Sequence, residues 1–253
     1  MTAVVSADGT QIAFTKSGTG PAIILVVGAF NDRATGAPLA KALEQRFTVF
    51  NYDRRGRGNS GDTPPYAVER EIEDINALIQ EAGGSAFVFG YSSGAVLALK
   101  AASHGLAISR LVLYDPPPTG PRAGGLTTQL AELIASNRRG DAVELFQTDG
   151  VGIPPEVVAK LRNAPFRPAL EKMAHTLVYE MSILTDTGMP PAAAAAVHVP
   201  TLVLVGEKNP DIMRQAAQTL AQALPKGQIR VLTDQTHDIS PEIVALELAA
   251  SLI

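Results

Sequence analysis

The sequence predicts an α/β domain: a mostly parallel central sheet flanked by helices, with a helical cap inserted after the strand that ends at Asp115. Three observations predict it. Short apolar, β-branched runs alternate with longer stretches of helical periodicity, the pattern of βαβ units. That alternation stops after Pro118 and resumes near Val199, and residues 118–198 between them carry only helical patterns and turns. The chain has 253 residues, 46% of them hydrophobic and 18% charged, enough to bury one large core with an insertion.

The elements follow in order. Gln11–Lys16 alternates polar and apolar residues, as a half-exposed strand does. Ala22–Val27 is continuously apolar, as a buried parallel strand is. Pro38–Gln45 reads as a short helix and Phe47–Tyr52 as a strand. Between Tyr66 and Ala82 the apolar residues Val68, Ile72, Ile75, Leu78 and Ile79 recur at helical spacing, and Gly83-Gly84 stops the helix. Phe87–Phe89 is a strand, Ser93–His104 a helix, and Leu111–Tyr114 a strand closed by Asp115 and three prolines. The insertion offers helices at Leu126–Ser136, Asp141–Phe146, Pro155–Arg162 and Ala169–Leu184, followed by Pro190-Pro191 and the alanine run Ala192–Ala196. Thr201–Val205 and Gln228–Leu232 are strands around a helix at Pro210–Leu224, and a last helix opens at Ser240-Pro241, with Ser as cap and Pro in the first turn. The expected division is a core of residues 1–117 and 199–253 and a helical cap of residues 118–198.

Composition removes several functions. Lys plus Arg is 21 against 25 Asp plus Glu, a net charge of −4, which gives no footprint for nucleic acid or an anionic membrane. There are no cysteines, hence no disulfide, thiolate metal site or Cys nucleophile. No apolar run is long enough to span a bilayer. Met1–Ser6 lacks the basic start and apolar stretch of a signal peptide, so a cytoplasmic location is expected. No metal-ligand spacing is present and no cofactor is expected.

The residues suited to chemistry cluster around Gly90-Tyr91-Ser92-Ser93-Gly94. This is G-x-S-x-G between a strand and a helix, a turn that projects the Ser92 hydroxyl from the sheet edge at a helix N-terminus. A serine hydroxyl needs a base to become a nucleophile. Of four histidines, His104 follows a helix end, His198 precedes a strand, and His175 lies in the insertion. His237 sits in the loop after the last strand and is the best base by position. Asp53, Arg54, Arg55 and Arg57 read as a structural charge cluster in the turn after a strand.

These motifs resemble the α/β-hydrolase superfamily, in its small capped esterase-like branch. Gly90–Gly94 resembles the nucleophile elbow, Tyr52-Asp53-Arg54-Arg55-Gly56-Arg57-Gly58-Asn59-Ser60 resembles the family's D-x-R-G-x-G-x-S segment, and His237 falls where the family keeps its histidine. The resemblance implies an oxyanion hole made of the Ala29 and Ser93 backbone N–H groups, with Val27-Gly28 standing where the family often has His-Gly. It leaves the acid open. Asn209 occupies the family's usual acid position, where Asn before Pro also reads as a helix cap. Asp115, at the end of the strand after the elbow helix, is the preferred acid; Asp211 is the alternative; an arrangement without an acid is the third case. The expected activity is that of a serine hydrolase acting through an acyl-enzyme on Ser92. Its substrates would be small or medium apolar, uncharged esters or lactones, with Phe30, Phe146, Met173, Leu177, Met181 and Leu184 as candidate pocket residues. The alternatives on the same fold are a lyase, C–C hydrolase or cyclase, or a small-molecule receptor that has lost its activity. The oligomeric state is left undetermined by the sequence.

Overall fold

The computed structural model describes residues 2–119, 125–185 and 194–252. The proline pair at 190–191 and the first two residues of the alanine run lie outside them. The elements are β1 (Thr2–Val5), β2 (Gln11–Ser17), β3 (Ala22–Val26), α1 (Arg33–Leu43), β4 (Thr48–Tyr52), α2 (Val68–Glu81), β5 (Ala86–Tyr91), α3 (Ser93–Ser103) and β6 (Ile108–Tyr114). Then come α4 (Leu126–Ala135), α5 (Arg139–Leu145), a π-helical turn (Phe146–Val151), α6 (Pro155–Leu161), α7 (Arg167–Lys172) and α8 (Thr176–Thr185). The chain returns through β7 (Thr201–Gly206), α9 (Asp211–Ala223), β8 (Gly227–Leu232) and α10 (Pro241–Leu252). Two compact units result, one made of Met1–Thr119 with Met189–Ile253 and the other of Gly120–Gly188. No helix among the described residues is long and apolar enough to cross a membrane.

The first unit holds one eight-stranded sheet, in the order β1-β2-β4-β3-β5-β6-β7-β8. β1 and β2, and β2 and β4, pair antiparallel; every later pair is parallel. The central strands are apolar on both faces because both faces are covered. On one face Leu25, Phe47, Val49, Phe89, Val112 and Leu204 pack against Leu39 and Leu43 of α1 and Val244 and Leu248 of α10. α3 lies against β3, β5 and β6 and packs on α2, while α9 lies against β7 and β8. The alternation along α2 buries Val68, Ile72, Ile75, Leu78 and Ile79, the stripe visible in the sequence.

Four local features differ from the sequence reading. β1 is an edge strand with only Val4 buried, too short and exposed to show periodicity. α1 begins five residues before Pro38, where Asp32 and Thr35 form a reciprocal capping box, so the proline lies inside the helix instead of opening it. α5 runs into a π-helical turn at Phe146. The single helix expected over Ala169–Leu184 is two, α7 and α8, separated at Met173–His175, where the Thr176 hydroxyl donates to the Met173 carbonyl.

The second unit is helical, with α4 against α5 and α8, and α5 against α7. Arg167 ties it together, donating to Glu171, to the Gly140 carbonyl and to Glu144.

Candidate active site

β5 ends at Tyr91 and α3 begins at Ser93, so the chain reverses at one residue. Ser92 takes φ 56° and ψ −128°, a conformation that side-chain-bearing residues rarely adopt, at a cost of about 1–3 kcal/mol. The surroundings hold it there. The Ser92 N–H donates to the Tyr114 carbonyl at the end of β6, and the Ser92 carbonyl accepts from the Ala95 N–H. A Cβ placed on Gly94 would lie 2.2 Å from the Val26 carbonyl oxygen, and one on Gly28 would lie 2.8 Å from Ser92 Cβ. Both glycines are therefore required by close approach, one by the helix against β3 and the other by the loop against the elbow.

Asp115 follows β6 directly and is fully buried, with φ 47°. Its N–H donates to the Leu204 carbonyl of β7, which fixes the carboxylate beside the ends of β6 and β7. Oδ1 accepts from the Gly206 N–H at 3.0 Å. Oδ2 accepts from Asn209 Nδ2 at 2.7 Å and faces His237 Nδ1 at 3.2 Å. On the other side of the ring, His237 Nε2 lies 3.2 Å from Ser92 Oγ. A carboxylate can only accept, so Nδ1 is the nitrogen that carries the proton, and Nε2 is left with its lone pair toward the Ser92 hydroxyl.

The loop bearing His237 is held by its neighbours. Tyr114 Oη donates to the Thr236 carbonyl at 2.9 Å, and the Lys208 N–H donates to the Gln235 carbonyl. Burial pushes the Tyr114 hydroxyl above the usual tyrosine range, with the nearby Asp115 and Asp238 adding to it, so Tyr114 remains a donor. The Tyr91 ring lies 5.1 Å from the imidazole, centroid to centroid, and fills one side of it.

Two expectations meet a different geometry. Asp211, the alternative acid, pairs with Arg214 in the first turn of α9, where its side chain is 78% exposed, and does not face His237. Asn209 does not cap that helix: Pro210 stands at the cap position, and the Asn209 amide turns inward to Asp115. The third difference lies in the oxyanion loop. The Ala29 N–H, expected to face a substrate oxygen, donates to the Ser93 hydroxyl at 2.9 Å.

That loop is braced from behind by the charge cluster, a role the sequence did not reveal. Arg54 donates from Nε and Nη2 to Glu71, both at 2.7 Å, and from Nη1 to the Val27 carbonyl. Arg57 Nη1 donates to the Gly28 carbonyl at 2.6 Å and to the Asn31 carbonyl at 2.9 Å. Burial pushes the Glu71 carboxyl up, but the charge and hydrogen bonds of Arg54 outweigh it and hold Glu71 below the usual carboxylate range. Arg55 makes the parallel connection to Asp74 and Asp8. Only the loop-to-loop pairing could have shown this, since Arg57 and Gly28 are 29 residues apart.

Of the candidate pocket residues, Phe30 belongs to the first unit and holds φ 59° in the braced loop. Phe146, Met173, Leu177, Met181 and Leu184 belong to the second unit and are all buried.

An eight-stranded, mostly parallel sheet with a strained serine between β5 and α3 defines the class of α/β hydrolases. Residues 23–250 match the alpha/beta hydrolase family, and the chain belongs to that family. It is similar, at 49% identity over the whole of both chains and with a TM-score of 0.93, to an alpha/beta hydrolase from Sphaerobacter thermophilus. It is 34% identical over 140 residues to the N-formylmaleamate deformylase of Pseudomonas putida, a match covering 53% of this chain and 52% of that protein. The chain thus spans about half the length of that relative. A thermophilic esterase from Thermogutta terrifontis shares the fold at 22% identity, with a TM-score of 0.76 over 99% of this chain and 97% of the other.

Proposed function

We propose that the protein is a serine hydrolase that cleaves small or medium, uncharged, apolar esters or lactones through an acyl-enzyme on Ser92. The observation that carries this reading is the file Ser92 Oγ–His237 Nε2 and His237 Nδ1–Asp115 Oδ2, with 3.2 Å at each contact.

In the proposed reaction Ser92 Oγ attacks the acyl carbonyl carbon while its proton passes to His237 Nε2. The imidazolium that forms is held by Asp115 through Nδ1–H. The tetrahedral oxyanion collapses, His237 gives the proton to the leaving oxygen, and an alcohol departs. Water then attacks the acyl-enzyme with His237 as base, and the acid is released with Ser92 restored. The deformylase named among the relatives favours a second leaving group. An N-formyl amide would follow the same steps, with nitrogen taking the proton from His237. Phe30, in the loop braced by Arg54 and Arg57, is proposed as a side chain that chooses the acyl group.

The test is intact-mass analysis after treatment with a fluorophosphonate, followed by product analysis on a panel of esters, lactones and N-formyl amides. A single phosphonyl adduct on Ser92 is expected, with acid plus alcohol from esters, a hydroxy acid from lactones, and formate plus the freed amide from N-formyl amides. A folded Ser92→Ala protein that turns over these substrates at near wild-type rate refutes the serine mechanism. A labelled protein that releases none of these products points instead to lyase, cyclase or carbon–carbon cleavage chemistry. An unlabelled one points to a receptor.

A further inference from the structure

The loop that faces the elbow holds its amide in a direction that an acyl-enzyme mechanism alone does not require. An oxyanion needs donors aimed at it, and the Ala29 N–H is already donating to Ser93 Oγ at 2.9 Å. The donor is not misplaced by accident, because its direction is set from behind. Arg57, itself buried, takes the Gly28 carbonyl at 2.6 Å. In a trans peptide the carbonyl and the following N–H point in opposite directions. Fixing the Gly28 carbonyl on Arg57 therefore fixes the Ala29 N–H on the far side of the same peptide plane, toward Ser93.

The Ser93 hydroxyl has one hydrogen to give and two lone pairs. It accepts from Ala29, and among the described residues no group accepts its hydrogen. It is not a remote hydroxyl. A single point built on Gly28 lies 2.8 Å from Ser92 Cβ and 3.3 Å from Ser93 Oγ, so the hydroxyl stands beside the elbow, where loop and nucleophile come closest. The series runs from the Arg57 guanidinium to the Gly28–Ala29 peptide and on to the Ser93 hydroxyl. Each bond polarises the next in the same sense, and the free positive end is the Ser93 O–H.

We propose that the Ser93 hydroxyl, backed by the Ala29 amide and by Arg57 as a positioning residue, is the second oxyanion donor of this site beside the Ser93 backbone N–H. This rests on the serine hydrolase reading, since it assigns a partner to the oxyanion that only an acyl transfer forms. It replaces one of the two backbone donors implied by the family resemblance with a side chain, and it makes the residue after the nucleophile answer for both donors.

The experiment compares wild type with Ser93→Ala, after thermal melts establish that both are folded. Two readouts are taken: kcat and KM on an ester, and the affinity of an alkyl trifluoromethyl ketone against that of its plain methyl ketone. The fluorinated ketone adds the serine and carries an oxyanion; the methyl ketone largely does not. Loss of one oxyanion donor lowers kcat by about 10²–10³-fold. Ser93→Ala is expected to show a kcat loss in that range with KM nearly unchanged. Its affinity for the fluorinated ketone should fall in parallel, and its affinity for the methyl ketone should hold. Ser93→Cys, close in volume and a weak donor, should fall between the two and supplies the comparison should the alanine variant not fold.

A Ser93→Ala protein as active as wild type or more so, with the fluorinated ketone still tightly bound, overturns the proposal: the hydroxyl would then only occupy an amide that serves better alone. Equal losses for both ketones overturn it as well, since they indicate a packing role. A wild-type protein that gives no adduct on Ser92 overturns the serine reading and this proposal together. An adduct on Ser92 with a fully active Ser93→Ala variant overturns this proposal alone.

Discussion

Replacing Asp115 by asparagine isolates what the carboxylate does, because the backbone tolerates the change. Asp115 holds φ 47°, and Asn is the other side-chain-bearing residue that enters this left-handed region readily. Size is conserved as well, so the effect comes from one oxygen becoming an NH₂. The three contacts around the carboxylate decide where that NH₂ goes. Facing Gly206, it would meet a backbone N–H fixed at 3.0 Å that cannot turn away. Facing the other side, it meets Asn209 Nδ2 at 2.7 Å, and Asn209 can rotate its amide to offer oxygen instead. The second orientation wins, since a buried donor opposed to a donor costs about 1–3 kcal/mol. It also turns the NH₂ toward His237 Nδ1, which must then accept, and the ring proton moves to Nε2 and points at Ser92. A base in the wrong tautomer costs about 10⁴-fold in kcat, or about 5 kcal/mol of barrier. Steady-state kinetics on a chromogenic ester, with a thermal melt on the same sample, measures both sides. The expected result is a kcat loss near 10⁴-fold with KM and melting temperature little changed. A folded Asp115→Asn protein within tenfold of wild type would refute the argument and return the acid's part to Asn209 or to no residue.

Further outcomes follow from the same contacts. Asn209→Ala removes one donor from Asp115 Oδ2, and a buried hydrogen bond to a charged group is worth about 1.5–3 kcal/mol; a kcat loss of about tenfold or more is expected from ester kinetics. Asp211→Asn touches only the exposed pair with Arg214 and should leave kcat within about twofold of wild type, as exposed pairs contribute little. Glu71→Gln removes the counter-charge of the buried Arg54 guanidinium, which keeps its bond to the Val27 carbonyl, and should cost about 3–5 kcal/mol in denaturant titrations at neutral pH. Because the folded Glu71 titrates below the usual carboxylate range, its stabilisation is fully present above the ordinary Glu pKa and is lost as pH falls through the folded value. The gap between wild type and Glu71→Gln should therefore close in acid; a gap that is constant with pH would contradict the ion pair's role.

The parallel sheet was legible because its strands are buried on both faces and read as continuous apolar runs, as in Ile23, Ile24, Leu25 and Val26. β1 was not, since one buried residue in four carries no period. The sequence places the start of α1 at Pro38 because proline commonly opens a helix, while the capping pair Asp32 and Thr35 lies further upstream. The break between α7 and α8 was hidden because the apolar spacing runs on across Met173. At the site, the turn at Ser92 is written locally in its glycines, and a late loop histidine stands out among four. The surroundings of Asp115 are not written locally at all. Which of Asp115, Asn209 and Asp211 meets His237 depends on how the ends of β6 and β7 lie side by side, and the bond between Ala29 and Ser93 joins residues 64 apart in sequence.

The separations within the site have a consequence for how the molecule matures. Ser92 meets His237 across 145 positions, and Asp115 meets Gly206 and Asn209 across 91 and 94, with the whole of Gly120–Gly188 emerging between them during synthesis. Contacts of such range form late, after the chain has closed its long loops. On the proposed mechanism, a nascent chain that has already folded its elbow holds Ser92 without its base until the final strand and the loop behind it have docked. On the same mechanism a serine-directed probe would count only finished molecules. In a refolding experiment, labelling of Ser92 should trail the return of helical signal and keep pace with the last phase of tertiary structure.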